Sequence, residues 1–309
     1  MKKFLLHISF YIILILAYFL ILGSFADGNT DDVYRHFATP KSNSIIMGDS
    51  RGSQALVSFV LDSNIQGKKF HNFSLNIGDS PYGNIYFNAL KKKLDQKTKN
   101  GIFILTVSPW NLSAEGIIND ENCPENKSPL NNSHFMNIHP NYEYLARNFK
   151  NSWYIIYRDR ETKGHSNTYL HKNGWLEVTV DAHPDSIKKR MIEKVAYYKE
   201  FSRKQKLSDY RLHSFTETIK YLKKFGKVFI VRLPTSKPIY EIELKTTPHF
   251  NDIINKISSN EKIPYFNFAP KFNDYVYTDG NHMYKKSSRI ISKQIADSIN
   301  LFLKFNAKK

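Results

Sequence analysis

The stretch SIIMGDSRG, residues 44–52, decides how the chain is read. Residues 44–47 form an apolar run short enough for one buried strand, and Gly48 ends it. A helix begins near Ser50, because Gln54, Ala55, Leu56, Phe59 and Val60 supply a mixed apolar face. A serine at such a strand-to-helix turn has two readings. It is a helix cap whose hydroxyl takes a backbone N–H, or it is a nucleophile presented at the end of a strand. The choice depends on what the rest of the chain brings to the same place.

Working outward, residues 70–75, 101–107, 227–233 and 263–268 read as further strands, the fourth of the five stopped by Pro234. Residues 82–94, 210–225 and 287–305 have helical spacing between and after them. Strands separated by helices imply right-handed crossovers and a parallel sheet covered on both faces. The expected fold is therefore an α/β three-layer sandwich with a five-stranded parallel sheet, flavodoxin-like in outline. Residues 113–208 break the rhythm. They are polar and aromatic (Trp153, Tyr154, Tyr157, Trp175), with a basic helical stretch at 185–201. A loop of that length without structure is unusual in a compact domain, so a structured insertion near the strand ends is expected.

The chain has 309 residues, 41% of them hydrophobic, enough for one large domain or two small ones. Met1-Lys2-Lys3 precedes an uncharged run of twenty-two residues, from Phe4 through to Phe25. That length suits a bilayer crossing better than a signal-peptide core. The reading is one transmembrane anchor (1–26), a polar tether (27–43) and a domain (44–309). Cleavage after Ala26, where small residues flank Phe25, is the alternative. Lys2 and Lys3 place the amino terminus in the cytoplasm and the domain outside the cell membrane, in the periplasm or at the cell exterior.

Cys123 is the one cysteine, so a fold held by its core rather than by an internal disulfide is expected. The net charge of +17 fits anionic lipid head groups or an acidic glycan, or simply a Lys-rich composition. Nucleic acid is not an expected partner, because the basic residues are scattered and the domain is read as exported. No metal site is expected, since His165, His171 and His183 lack paired ligand spacing, and no cofactor is expected, since there is no Gly-rich phosphate loop.

A second informative stretch is YTDGNHM, residues 277–283, just before the last helix. Asp279 and His282 lie three residues apart, where a carboxylate can orient an imidazole and stabilise its protonated form. The plainer reading is a loop pair with structural hydrogen bonds. In an open α/β sheet, however, the loops after the strands converge on one rim. Two further loops reach that rim: residues 72–81 with Gly78, and Ser108-Pro109-Trp110-Asn111. Gly78 could present a backbone N–H and Asn111 a side-chain amide to an oxyanion, or both could be ordinary turn residues.

Taken together, these blocks resemble the SGNH (GDSL-like) hydrolase superfamily: Gly48-Asp49-Ser50 after the first strand, Gly78 after the second, Asn111 after the third, and Asp279-x-x-His282 before the last helix. Ser-Pro-Trp-Asn stands where the family's Gly-x-Asn-Asp block is usual. The Gly-x-Ser-x-Gly elbow of α/β-hydrolases also fits Gly48 to Gly52, but there several strands precede the serine. The resemblance implies that Ser50 attacks an ester carbonyl, His282 takes and returns the proton, and Asp279 orients His282. It implies an oxyanion held by the N–H groups of Ser50 and Gly78 and by Asn111.

An anchored domain of this kind looks like the envelope-modifying proteins of alginate or peptidoglycan O-acetylation and of D-alanine transfer to teichoic acid. The resemblance therefore implies an O-acyltransferase acting on an envelope polysaccharide, with a membrane-bound O-acyltransferase as the partner such proteins commonly work beside. The alternatives are an exported carbohydrate esterase or deacetylase, and a non-catalytic glycan-binding or scaffolding relative. Trp153 and Trp175 would stack on sugar rings or fill the core. Arg51 would meet a substrate anion or, more simply, Asp49.

Overall fold

The computed structural model describes residues 1–306. The chain opens with α1 (Lys2–Ser24) and α2 (Tyr34–Ala38) and enters the sheet at β1 (Ser44–Met47). There follow α3 (Ser50–Ala55), α4 (Ser58–Asn64), β2 (Phe70–Asn72), α5 (Asn84–Lys93) and β3 (Gly101–Thr106). The chain then leaves the sheet through β4 (Ser113–Glu115), α6 (Pro129–Asn132), α7 (Tyr142–Asn148), α8 (Trp153–Arg158), β5 (Thr168–Leu170), β6 (Leu176–Val178), α9 (Pro184–Lys204) and β7 (Gln205–Leu207). It returns through α10 (Asp209–Leu222), β8 (Gly226–Arg232), α11 (Lys237–Thr246), α12 (Phe250–Glu261), β9 (Tyr265–Asn267) and α13 (Lys285–Asn306).

Five strands form one parallel sheet in the order β2-β1-β3-β8-β9. Alternate side chains leave a strand on opposite faces, and here both faces are apolar. Ile45, Met47, Phe103, Leu105, Val228 and Ile230 point to one side, where they pack with residues of α5, α10 and α12. Ile46, Ile102, Ile104, Phe229 and Val231 point to the other, against α4 and α13. This is the three-layer sandwich that the strand and helix spacing implied.

The interruption at 113–208 is closed at its two ends by a ribbon. Strands β4 and β7 pair antiparallel, Ser113 opposite Leu207 and Glu115 opposite Gln205, so the excursion begins and finishes at one place. Residues 27–43 differ from the polar tether expected of them. Tyr34 and Phe37 are fully buried, and the Asp31 carboxylate accepts the N–H of Val33 and a hydrogen bond from the Tyr144 hydroxyl. Val33, Tyr34, Phe37 and Ala38 fall on one face of a helical turn, so the segment belongs to the core despite its polar neighbours. Helix α1 is long and apolar enough to cross a membrane, and most of its side chains are exposed.

Candidate active site

The turn from β1 into α3 is set by Gly48 and Asp49. A Cβ at Gly48 would overlap the Thr106 hydroxyl oxygen at 1.7 Å, so only glycine lets the turn pass this close to β3. Asp49, not Ser50, caps α3: its carboxylate accepts the Arg51 N–H at 3.0 Å and a hydrogen bond from the Ser108 hydroxyl at 3.0 Å. The cap is thus supplied by its neighbour, and the Ser50 hydroxyl is left for another partner.

That partner is His282. Its Nε2 lies 2.9 Å from Ser50 Oγ, and its Nδ1 lies 2.9 Å from Asp279 Oδ2. The loop holding the pair is tight: Tyr277 bridges Met283, the Thr278 N–H donates to the His282 carbonyl, and Asp279 Oδ1 accepts the N–H groups of Asn281 and His282 at 2.9 and 2.8 Å. Burial raises the pKa of the Asp279 carboxyl. The hydrogen bond and charge of His282, its backbone N–H and the Lys194 ammonium 3.5 Å away outweigh it and hold the group well below the usual carboxylate range. Asp279 is therefore ionised throughout the neutral range and faces the imidazole as an anion.

The two remaining oxyanion candidates are turned away. The Asn111 amide is fully buried, donating to the Thr106 carbonyl at 3.1 Å while its Oδ1 accepts the Ser108 N–H at 3.0 Å. It braces its own loop. The Gly78 N–H donates to Asn76 Oδ1 at 2.8 Å and lies at an exposed turn. From that loop Asn76 lines both cavities beside Ser50, with Ile77 in one and Leu75 in the other. Among the described residues, neither the Ser50 N–H nor the Asn76 N–H has a hydrogen-bond partner.

Among the described residues the Arg51 side chain forms its ion pair with Glu243, not with Asp49. Its guanidinium donates to Glu243 on α11 at 2.6 Å and to Asn281 Oδ1 at 2.9 Å. Glu243 also accepts from Arg232 of β8 at 2.7 Å, making a buried Arg-Glu-Arg chain beneath the site. The two cations hold the Glu243 carboxyl below its ordinary range although burial acts the other way. Held by Arg51, the Asn281 amide nitrogen sits 3.1 Å from His282 Nε2. Asn281 stands inside the motif read from sequence, whereas nothing about Glu243 in its own helix marks it as Arg51's partner.

Two cavities meet at Ser50 and His282. One, about 130 Å³, is walled by Ile77, Trp110, Tyr198 and Phe201. The other, about 250 Å³, is walled by Asp32, Val33, Gln54 and Leu176. Helix α9 closes the first: Lys194, Tyr197, Tyr198 and Phe201 all come from it, and Arg190 ties it to the Thr278 carbonyl at 2.8 Å. Trp153 and Trp175, read as sugar-stacking or core-filling rings, take the second role. Trp153 packs on Phe19 of α1, and Trp175 is buried with its indole N–H donating to the Gln54 carbonyl.

No family model and no curated protein matches this chain. Among solved structures it is similar to a carbohydrate acetylesterase from Sinorhizobium meliloti, with 9% identity and a TM-score of 0.39, over 84% of this chain and 99% of that one.

Proposed function

We propose that this chain is a membrane-anchored serine acyltransferase of SGNH type that works outside the cytoplasm on a cell-envelope polysaccharide. The observation that carries the reading is the hydrogen-bonded line from Ser50 Oγ through His282 to Asp279, 2.9 Å at each link. In it the hydroxyl proton passes to His282 Nε2 as Oγ bonds to an ester carbonyl carbon, and Asp279 stabilises the imidazolium. His282 then protonates the departing alcohol, leaving an acyl group on Ser50. A second alcohol gives up its proton to His282, attacks the acyl carbon and restores the serine. In this reading the Ser50 and Asn76 N–H groups are the oxyanion donors, in place of Gly78 and Asn111.

Cavity size supports a short acyl group. The 130 Å³ cavity beside Ser50 has room for an acetyl group. The aromatic wall of α9 suits a sugar ring at its mouth, and α1 supports anchoring, with Lys2 and Lys3 on the cytoplasmic side. The test uses the full chain in detergent with p-nitrophenyl acetate, followed by intact mass. One acetyl gained on the protein, absent from Ser50→Ala, is expected, and added oligosaccharides should carry the acetyl away as ester. Release only as acetate would make the protein an esterase. A folded sample with no acetyl-protein in any acceptor would overturn the proposal.

A further inference from the structure

The last turns of α1 do not stand clear of the domain. The Tyr142 hydroxyl of α7 donates to the Leu20 carbonyl at 2.8 Å, and a Cβ on Gly23 would strike the Tyr142 ring at 2.6 Å. Phe19 meets Trp153 of α8 edge to face, with ring centroids 5.2 Å apart, and Phe25 meets Tyr157 at 5.1 Å. The Arg160 guanidinium lies over both Tyr157 and Phe25. A helix that merely tethered a domain would need none of these contacts.

They also fix a depth. Phe19 to Phe25 is the end of the apolar run, where a spanning helix passes from hydrocarbon to head groups. Helix α8, WYIIYR, sits against that level and exposes Tyr154 and Tyr157, 52% and 38% accessible, with Lys150 exposed beside them and Arg158 exposed but paired with Asp159. Trp and Tyr are the side chains whose apolar body and polar tip suit the bilayer interface, and the cations suit anionic head groups. We propose that α8 is a second membrane-contacting element, lying in the head-group layer of an anionic bilayer and bracing α1 as a stalk rather than a tether. Its occupant is lipid, because the surface continues the apolar helix and carries positive charge. The consequence reaches the reacting serine. Asp32 and Val33, eight and nine residues beyond Ser24, wall the larger cavity at Ser50, so the brace holds that cavity at a set distance from the membrane.

This inference rests on the reading of α1 as a membrane span, and the experiment separates the two. Full-length protein carrying Ile12→Cys, Tyr154→Cys or Ile117→Cys, each with an environment-sensitive fluorophore, is reconstituted in phosphatidylcholine–phosphatidylglycerol vesicles. Native Cys123 is buried, and unlabelled wild type checks that it does not react. A lipid spin-labelled near the head group should quench the label at 154, and leave the label at 117, 96% exposed in the parent residue, unchanged. Quenching at 12 by a deep-chain spin label with none at 154 overturns the brace while leaving the span intact. No quenching at 12 overturns both.

Discussion

The same side chain occurs in two opposed settings on this sheet. At its rim, His282 has an ionised carboxylate on Nδ1 and a hydroxyl on Nε2, each at 2.9 Å. On its flank, where α2 packs against β2, His36 and His71 are buried with ring nitrogens 3.4 Å apart, and His36 Nε2 has no partner. Among the described residues no carboxylate pairs with either ring. The nearest charge is the Lys93 ammonium, held by the carbonyls of His36 and Thr39 and the Thr39 hydroxyl. Burial first, and Lys93 second, push His36 down to about 3 and hold His71 well below the ordinary histidine range. The imidazole at the rim has an anion beside it, and those in the core are sealed next to a cation. What separates the two settings is the depth of burial and the presence of a carboxylate, not the ring.

The largest effect is expected where that carboxylate is neutralised. Asp279→Asn should slow acylation of Ser50 by about 10³–10⁴-fold with little change in thermal midpoint, read by stopped-flow release of p-nitrophenol. A loss under ten-fold would erase the distinction between the two settings.

Next comes the ion chain that supports the rim from beneath. Glu243→Gln leaves Arg51 and Arg232 buried without their anion, and should cost roughly 3–5 kcal/mol in denaturant unfolding. Asn281, oriented by Arg51, should move with it, so the residual folded enzyme should also acylate more slowly. A variant of wild-type stability would mean that the arginines find other acceptors.

The flank gives the smallest effect and the clearest sign. Between pH 6.5 and about 3 the unfolded chain binds a proton at residue 36 that the folded chain refuses, so stability falls as pH falls. By pH 5 His36 alone should cost about 2 kcal/mol relative to pH 8. His36→Phe should flatten that part of the profile, measured by denaturant midpoints at each pH. An unchanged slope would assign the acid sensitivity to His71 or to other groups.

Much of this architecture was legible because it is periodic. The five strands were found within a few residues of their ends, as were the helices at 84–93, 209–222 and 285–306, because buried parallel strands are apolar runs and helices carry apolar faces. The short helices were not legible: α2 hides three apolar residues among polar ones, and α11 and α12 fill the gap between β8 and β9. At the site, Ser50, Asp279 and His282 were named from two loops, and the structure brings them into hydrogen-bonding line. Asn111 and Gly78 were named from the same kind of signal and serve their own turns instead.

The sequence by itself determined the strand and helix order, the apolar helix at the amino terminus and the two loops that carry Ser50 and His282. Each is written in local pattern, where neighbouring residues suffice to decide the outcome. Only the tertiary structure decided which polar groups were left free. Asp49 takes the cap and releases Ser50, Glu243 takes Arg51, Thr106 takes Asn111, and Phe19 takes Trp153. A buried donor or acceptor must be paired by whatever lies nearest in space. That neighbour can be a hundred or more residues away in the chain, and no local pattern names it.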